Sequence, residues 1–233
     1  MSDKIQHIAI IMDGNRRWAK EHGQAKIVGH KKGAENLQRV VEAVKDEGVK
    51  YLTIYAFSTE NWQRSPEEVS GLMGLLRSYL EQEFKEIQKH GVRIKFIGER
   101  QMLDSDIVDK MAKVERDTAK NDNLVLNIAL SYGSRQEIVS ATKKIAQMVK
   151  RGDIVLNDID QRMFSDMLYT QNIPDPDIVI RTGGDKRISN YLLWQIAYSE
   201  LFFTSVLWPD FGKEDLKLIV DEYNQRERRY GKS

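Results

Sequence analysis

Cysteine is absent from this chain of 233 residues, and proline is scarce, with 4 residues. The lack of cysteine excludes a disulfide framework, a zinc site built from thiolates and a thiol nucleophile, and it is compatible with a reducing compartment. Pro174 and Pro176 flank Asp175 in a cluster that is typical of a rigid turn into a strand. Because no segment has the composition of a linker, we expect residues 1–233 to form one domain.

An excess of either charge is also missing, because 36 lysines and arginines balance 35 aspartates and glutamates to a net charge of +1. This balance disfavours a nucleic-acid partner held by bulk charge, so none is expected. The apolar run near the N-terminus, residues 8–12, is too short for a signal peptide or a membrane span. We therefore expect a cytoplasmic protein without a transmembrane segment, for which contact with the inner face of a membrane stays open.

Short apolar runs rich in β-branched residues alternate with amphipathic stretches along the chain. The runs predict strands at residues 8–12, 51–57, 93–97, 124–130 and 177–180. The amphipathic stretches predict helices at residues 30–47, 66–90, 104–120, 134–151, 158–169 and 213–229. This alternation predicts a single α/β domain with a central, mostly parallel sheet covered by helices.

Ligands collect at the carboxyl ends of strands in an open parallel sheet, so the turns after the strands are of interest. The first is Asp13-Gly14-Asn15-Arg16-Arg17. A glycine turn, a helix start and two arginines suit a phosphate group, and Asp13 suits a magnesium ion that bridges to phosphate oxygens. The same residues also suit a capped helix with solvated arginines, and both interpretations stand at this point.

A second basic turn spans residues 181–189, with Arg181, Lys186, Arg187 and Ser189 around a pair of glycines. It suits a second anion, and two anion sites indicate a transfer reaction. Alternatively, Ser189 or Asn190 caps a helix through residues 192–193 and the basic loop is a solvated surface.

Three further features allow both a structural and a functional interpretation. Phe57 and Trp62 are aromatic residues of the kind that usually belong to the core. His30 at a helix start suits a phosphate donor, although an isolated histidine is more often structural. Glu200 lies in an apolar run and is either part of an ion pair or a second metal contact.

Several ordered blocks resemble the cis-prenyltransferase family, and within it the bacterial undecaprenyl diphosphate synthases. The blocks are HIAIIMDGNRRWA at residues 7–19, GHKKGAENL at 29–37, YAFSTENWQRSPEEVSGLM at 55–73, LNIALSYGSRQEIV at 126–139 and DIVIRTGGDKRISNYLLWQIAYSELFFTSVLWPDF at 177–211. The resemblance runs over nearly the whole chain and implies one α/β domain that encloses a hydrophobic tunnel and assembles as a homodimer.

The resemblance also implies an activity, namely the magnesium-dependent condensation of isopentenyl diphosphate onto farnesyl diphosphate with cis double bonds. The product would be a long-chain polyprenyl diphosphate, undecaprenyl diphosphate, the precursor of the cell-wall lipid carrier. Its release would involve transient contact with a membrane surface. The apolar stripe of residues 69–87 is then the candidate wall of the tunnel. A non-catalytic subunit of a heteromeric prenyltransferase is the alternative.

The residues at matching motif positions acquire roles by the same resemblance. Asp13 would hold magnesium and be the key catalytic residue, with Glu200 supporting the metal, and Asn61 would act in proton removal. The residues implied to hold the allylic diphosphate are Gly14, Asn15, Arg16, Arg17, Trp18, Lys26 and His30. Those implied to line the substrates are Ser58, Thr59, Glu60, Trp62 and Arg64. Those implied to hold isopentenyl diphosphate are Arg181, Lys186, Arg187, Ile188 and Ser189.

Overall fold

The computed structural model describes residues 4–81 and 90–226, which contain one six-stranded sheet. Its strands are β1 (His7–Ile11), β2 (Tyr51–Ser58), β3 (Val92–Ile97), β4 (Leu124–Tyr132), β5 (Ile178–Arg181) and β6 (Glu200–Phe203). The spatial order is β3-β4-β2-β1-β5-β6, and every neighbouring pair is parallel. The predicted fold class, an α/β domain around a parallel sheet, is confirmed.

Helices occupy the segments between the strands. They are α1 (Asn15–Glu21), α2 (Lys26–Asp46), α3 (Pro66–Glu81), α4 (Ser105–Asp117), α5 (Ser134–Arg151), α6 (Gln161–Asp166) and α7 (Lys213–Gln225). Short 3-10 turns lie at Thr59–Gln63, Arg100–Met102, Leu156–Asp158 and Trp208–Asp210. Within residues 4–81 and 90–226, no helix is both long enough and apolar enough to cross a membrane.

Apolar side chains cover both faces of the sheet, which explains why β1 is buried along its whole length. The larger core lies on the face of Ile8, Ile10 and Ile54, together with buried residues of α2, α3, α4 and α7. A smaller cluster on the other face includes Ala9 and Tyr191. The central strands are therefore held from both sides, and their carboxyl ends form a rigid edge.

The structure corrects several predicted boundaries. The five predicted strands and the helix at residues 134–151 are confirmed. Strand β6 was missed, because it begins with the charged Glu200 and its Leu201 and Phe203 are exposed, unlike the residues of a buried strand. The helix expected through residues 192–193 is wrong, since that segment forms turns with left-handed backbone at Asn190 and Leu192. The predicted helix at 158–169 shortens to α6, capped by Asp160. Residues 82–89 and 227–229 of the predicted helices lie outside the described residues.

Two glycines of α2 permit the close approach of α1. A side chain at Gly29 would overlap the backbone carbonyl of Asn15, and one at Gly33 would overlap the Asn15 side chain and lie 2.7 Å from Trp208 Cδ1. The first residue of α1 therefore rests directly on α2. This contact sets the position of the turn between β1 and α1.

We expect Gly29→Ala to lower the free energy of unfolding by about 1–3 kcal/mol, because the new methyl group meets backbone that cannot rotate away. Gly74→Ala is the matched control: Gly74 lies in α3 with nothing within 4 Å of an added Cβ, so the variant should gain about 0.5–1 kcal/mol. Urea denaturation measures both, and equal stabilities for the two variants would contradict the close packing of α1 on α2.

Candidate active site

A polar cavity of about 910 Å³ opens at the carboxyl ends of β1, β2 and β5. These three strands are neighbours in the sheet, so the turns that follow them meet at one edge. The predicted site residues that line the cavity are Asp13, Gly14, Asn15, Arg16, Arg17, His30, Ser58, Glu60, Asn61, Arg64, Arg181, Arg187 and Ser189. The parallel topology thus brings both basic turns to one place.

An ion pair between Asp13 and Arg181 joins the end of β1 to the end of β5. Arg181 Nη2 lies 2.8 Å from Asp13 Oδ2, and Arg17 Nη2 lies 3.1 Å from Asp13 Oδ1. The Arg181 side chain is 6% exposed and donates from Nη1 to Ser189 Oγ and to the Arg187 carbonyl, both at 2.7 Å. Burial raises the pKa of Asp13, but Arg181 and Arg17 together outweigh it and hold the pKa below its usual value. Asp13 is therefore ionised at neutral pH.

A second carboxylate, Asp185, contacts the same arginines. Its Oδ2 lies 2.7 Å from Arg187 Nη2 and 3.7 Å from Arg17 Nη2 and from Arg181 Nη2. Three guanidinium groups thus face two carboxylates. The side chains of Arg17 and Arg187 are 44% and 62% exposed. A phosphate group entering the cavity can take over donors that the two carboxylates now occupy.

The chemistry of Asp13 fits magnesium. Magnesium is usually held by one or two carboxylates together with substrate phosphates and water, rather than by a full set of protein ligands. Accordingly, no three histidine, aspartate or glutamate side chains converge as a metal site within the described ranges 4–81 and 90–226. Asp13 is ionised and half-buried beside donors for phosphate, so it could hold the metal jointly with a diphosphate.

Glu200 does not join this site within one chain. It begins β6 in register with Ile178, the first residue of β5, whereas Asp13 follows the last residues of β1. Its Oε2 lies 2.5 Å from Arg226 Nη1. Within one chain the structure therefore separates Glu200 from Asp13 and contains the alternative, an ion pair with Arg226. That Glu200 supports a metal ion stays a prediction.

The turn after β2 forms the opposite wall. Asn61 Oδ1 accepts the backbone N–H of Ser58 at 3.1 Å and so holds the turn in shape. Trp62 does not line the cavity: its indole donates to Ser131 Oγ at 2.9 Å, and its ring packs edge-on against Phe57. The Thr59 hydroxyl is likewise buried outside the cavity lining.

His30 lies where the polar cavity meets an apolar one. Burial, followed by the charge of Arg64, lowers the pKa of His30 to about 4, so the ring is neutral at neutral pH. Its Nε2 is buried without a hydrogen-bond partner among the described residues. An unpartnered ring nitrogen at this boundary suits a ligand with a polar head.

The apolar cavity has a volume of about 130 Å³. It shares Met12, Phe57 and Leu72 with the lining of the polar cavity. Its deeper walls are Leu37, Met73, Leu75, Leu76, Tyr79, Ile128 and Leu130. The stripe on α3 therefore lines this cavity in part, whereas Phe84 and Ile87 lie outside the described residues. A charged entrance thus leads directly into an apolar interior.

Other predicted residues lie away from the cavity lining. The Trp18 indole donates to Asp210 Oδ1 at 2.9 Å and stacks on His22. Lys26 and Lys186 are exposed, and Ile188 is half-buried. The structure does not bring these four residues to the polar cavity.

Conversely, sequence reasoning missed three residues with polar side chains that line the cavity, namely Tyr55, Asp185 and Asn190. Asp185 lies within the second basic turn, so a carboxylate flanked by arginines was an available signal. Asn190 has the sequence context of a helix cap, which hid its place in the site. Tyr55 gave no signal, since a tyrosine inside a predicted strand is ordinary.

The chain is similar in sequence and in fold to proteins of one family. The chain matches the sequence model of the family described as "Putative undecaprenyl diphosphate synthase" over residues 11–231. It is 46% identical to an isoprenyl transferase of Caulobacter vibrioides, covering 97% of this chain and 87% of the relative. It is also 46% identical to a (2E,6E)-farnesyl-diphosphate specific ditrans,polycis-undecaprenyl-diphosphate synthase of Xanthomonas axonopodis. That match covers 97% of this chain and 88% of the relative. Among solved structures, the chain resembles lavandulyl diphosphate synthase from Lavandula x intermedia in complex with dimethylallyl diphosphate. The TM-score is 0.94 at 35% identity, and the match covers 98% of this chain and 99% of that structure.

We expect Asp13→Asn to lower the free energy of unfolding at pH 7 by about 1–3 kcal/mol, because the buried Arg181 guanidinium loses its closest anion. Asp153→Asn, which removes an exposed partner of Arg151, is the control and should change stability by less than about 0.5 kcal/mol. Urea denaturation measures both variants.

The effect of Asp13→Asn should also depend on pH. Because the pKa of Asp13 is held below its usual value of 3.8, the stabilisation is fully present above that pH. It is lost as the pH falls through the lowered pKa. A stability difference that persisted unchanged in strong acid would show that the charge of Asp13 is not its source.

Proposed function

Because the chain belongs to the undecaprenyl diphosphate synthase family of prenyltransferases, we propose that it condenses isopentenyl diphosphate onto farnesyl diphosphate with magnesium as its cofactor, and extends the product to undecaprenyl diphosphate. The observation that carries this proposal is the junction of an arginine-rich cavity with an apolar one. An allylic diphosphate has this same division, a charged head on a hydrocarbon tail.

The two basic turns supply the contacts for two diphosphates. Arg17 lies in the first turn of α1, directly after β1. Arg181 ends β5, and Arg187 lies in the turn that follows it. Forked guanidinium groups bind phosphate oxygens in pairs and with defined geometry. Binding would exchange contacts with Asp13 and Asp185 for contacts with phosphate. The lavandulyl enzyme was crystallised in complex with dimethylallyl diphosphate, an allylic diphosphate, which supports this substrate class.

The proposed reaction breaks the C–O bond between C1 of the allylic chain and its diphosphate, and the electron pair leaves with the diphosphate. The double bond of isopentenyl diphosphate supplies the electron pair of the new C–C bond, and loss of a proton forms the new double bond. Arg16 and Arg17, which line the cavity at the start of α1, would stabilise the charge that develops on the leaving diphosphate. Asp13 would hold magnesium, which supplies further neutralisation of that charge when bound.

Asn61 would act by position rather than as a base. An amide is not basic, and its Oδ1 already accepts the N–H of Ser58. Its remaining polar group is the side-chain N–H₂, which donates hydrogen bonds. Asn61 would therefore orient isopentenyl diphosphate or an intervening water that receives the departing proton.

The alternative of a non-catalytic subunit gains no support. The acidic and basic residues of the site are present and meet in one cavity. The relatives compared above are named as transferases or synthases.

Homodimer formation is part of the proposal. β6 is the edge strand of the described sheet, and its Leu201 and Phe203 are 39% and 37% exposed. Apolar side chains on a sheet edge favour association with another chain.

Light scattering after size-exclusion chromatography should give twice the mass of one chain, and Phe203→Glu should halve that mass. Leu218→Glu on α7, at an exposed leucine, is the control and should leave it unchanged. A monomeric wild type would refute the dimer.

Activity is tested by incubating the purified protein with farnesyl diphosphate, labelled isopentenyl diphosphate and magnesium, with and without detergent. Product chain length is then read by chromatography. We expect a ladder that ends near eleven isoprene units and disappears when EDTA removes magnesium. A product of a different chain length would support the prenyl transfer reaction but refute undecaprenyl diphosphate as the product. A detergent effect on turnover would indicate that product release involves a membrane surface. No product from folded protein would refute the proposed function.

A further inference from the structure

The segment after the second basic turn has an uncommon backbone. Ser189, Asn190 and Leu192 adopt left-handed conformations, with φ of 48°, 61° and 48°. Residues other than glycine rarely adopt such angles, and a cluster of them persists where the surrounding contacts determine the conformation. The hydrogen bonds that hold this segment therefore indicate the role of its conformation.

Asn190 makes hydrogen bonds to two other parts of the chain. Its Nδ2 donates to Glu60 Oε1 at 2.9 Å and to Gln136 Oε1 at 3.2 Å. Its Oδ1 accepts the backbone N–H of Arg135 at 2.9 Å, and its carbonyl accepts the backbone N–H of Ser134 at 2.9 Å. One side-chain amide thus joins the turn after β2 and the start of α5 to the turn after β5.

The neighbouring residue links the same segment to the anion site. Ser189 Oγ accepts from Arg181 Nη1 at 2.7 Å, and the Ser189 carbonyl accepts the Tyr55 hydroxyl at 3.3 Å. A rotation of the segment at Asn190 would therefore move a direct partner of Arg181. The same rotation would release Glu60, which adjoins Asn61 in the opposite wall.

A glycine makes room for this polar cluster. A side chain at Gly133 would overlap Gln136 Oε1 and lie 2.6 Å from Thr59 Oγ1 and 2.8 Å from Asn190 Nδ2. The chemistry of the cluster also requires an amide at position 190. That side chain must donate to the oxygens of Glu60 and Gln136 while it accepts from a backbone N–H, and an ionised aspartate cannot donate.

We propose that Asn190 is a positioning residue that sets the turn after β5, which carries Arg181, Arg187 and Ser189, at a fixed distance from the turn after β2, which carries Glu60 and Asn61. This inference rests on the proposed function, in which the turn after β5 holds isopentenyl diphosphate and Asn61, in the turn after β2, orients that reactant. Each diphosphate would still bind without Asn190, because the arginines remain. The reacting carbons would be held in the wrong relative position, and displacements of about 1 Å reduce rates by as much as about 100-fold.

The test compares Asn190→Gly and Asn190→Asp with the wild type. Glycine keeps the left-handed backbone and removes the side chain, whereas aspartate keeps the shape and places a carboxylate against Glu60. We expect kcat to fall about 30-fold or more in both variants, with KM for each diphosphate within about threefold of wild type. Asn172→Gly is the matched control, because Asn172 is also left-handed, with φ of 62°, and lies outside the polar cavity. It should leave kcat unchanged.

Thermal melting of each variant separates positioning from folding. A variant with unchanged kcat, or one whose kcat falls only in proportion to its loss of folded protein, would overturn the positioning role and leave the proposed function standing. An inactive wild type would refute the proposed function, and this inference would fall with it.

Discussion

The ion pair between Asp13 and Arg181 is the interaction on which the site depends. A guanidinium group that is 6% exposed requires an anion, because an unpaired buried charge is strongly destabilising. Asp13 provides that anion from the end of the neighbouring strand, and Arg181 in turn holds Ser189 and the Arg187 carbonyl. One buried cation thus connects the turns after β1 and β5. The same pair helps to keep Asp13 ionised, so the contact that joins the two strand ends also holds the carboxylate in its charged form.

The position of this pair follows from the sheet. Parallel strands place the turns after β1, β2 and β5 at one edge, and the buried faces of those strands lie directly below. A charged entrance and an apolar interior therefore share Met12, Phe57 and Leu72 as a common boundary. The small residues of α2 let α1 pack closely enough to complete the entrance. This junction of a charged entrance with an apolar interior is the feature on which the proposed function rests.

Much of the framework could be predicted from the sequence, since short apolar runs bounded by turn residues identify five of the strands. Once these strands are taken as parallel, Asp13, Arg17 and Arg181 lie at one edge of the sheet. Their contact also requires β1 and β5 to be neighbours, which the sequence pattern does not predict. Contacts between distant residues could not be predicted: Trp18 pairs with Asp210, and Glu200 pairs with Arg226. The left-handed run that contains Asn190 was also hidden, because its conformation comes from tertiary hydrogen bonds and not from glycine.

Calorimetric titration with inorganic diphosphate tests most directly the claim that the cluster around Arg181 is a diphosphate site. The titration is made in the presence of magnesium on wild type, on Arg181→Lys and on Arg151→Lys as an exposed control. Lysine keeps the charge but loses the forked geometry, so we predict saturable binding that weakens about tenfold or more in Arg181→Lys and is unchanged in Arg151→Lys. Equal affinities for all three proteins would contradict the account.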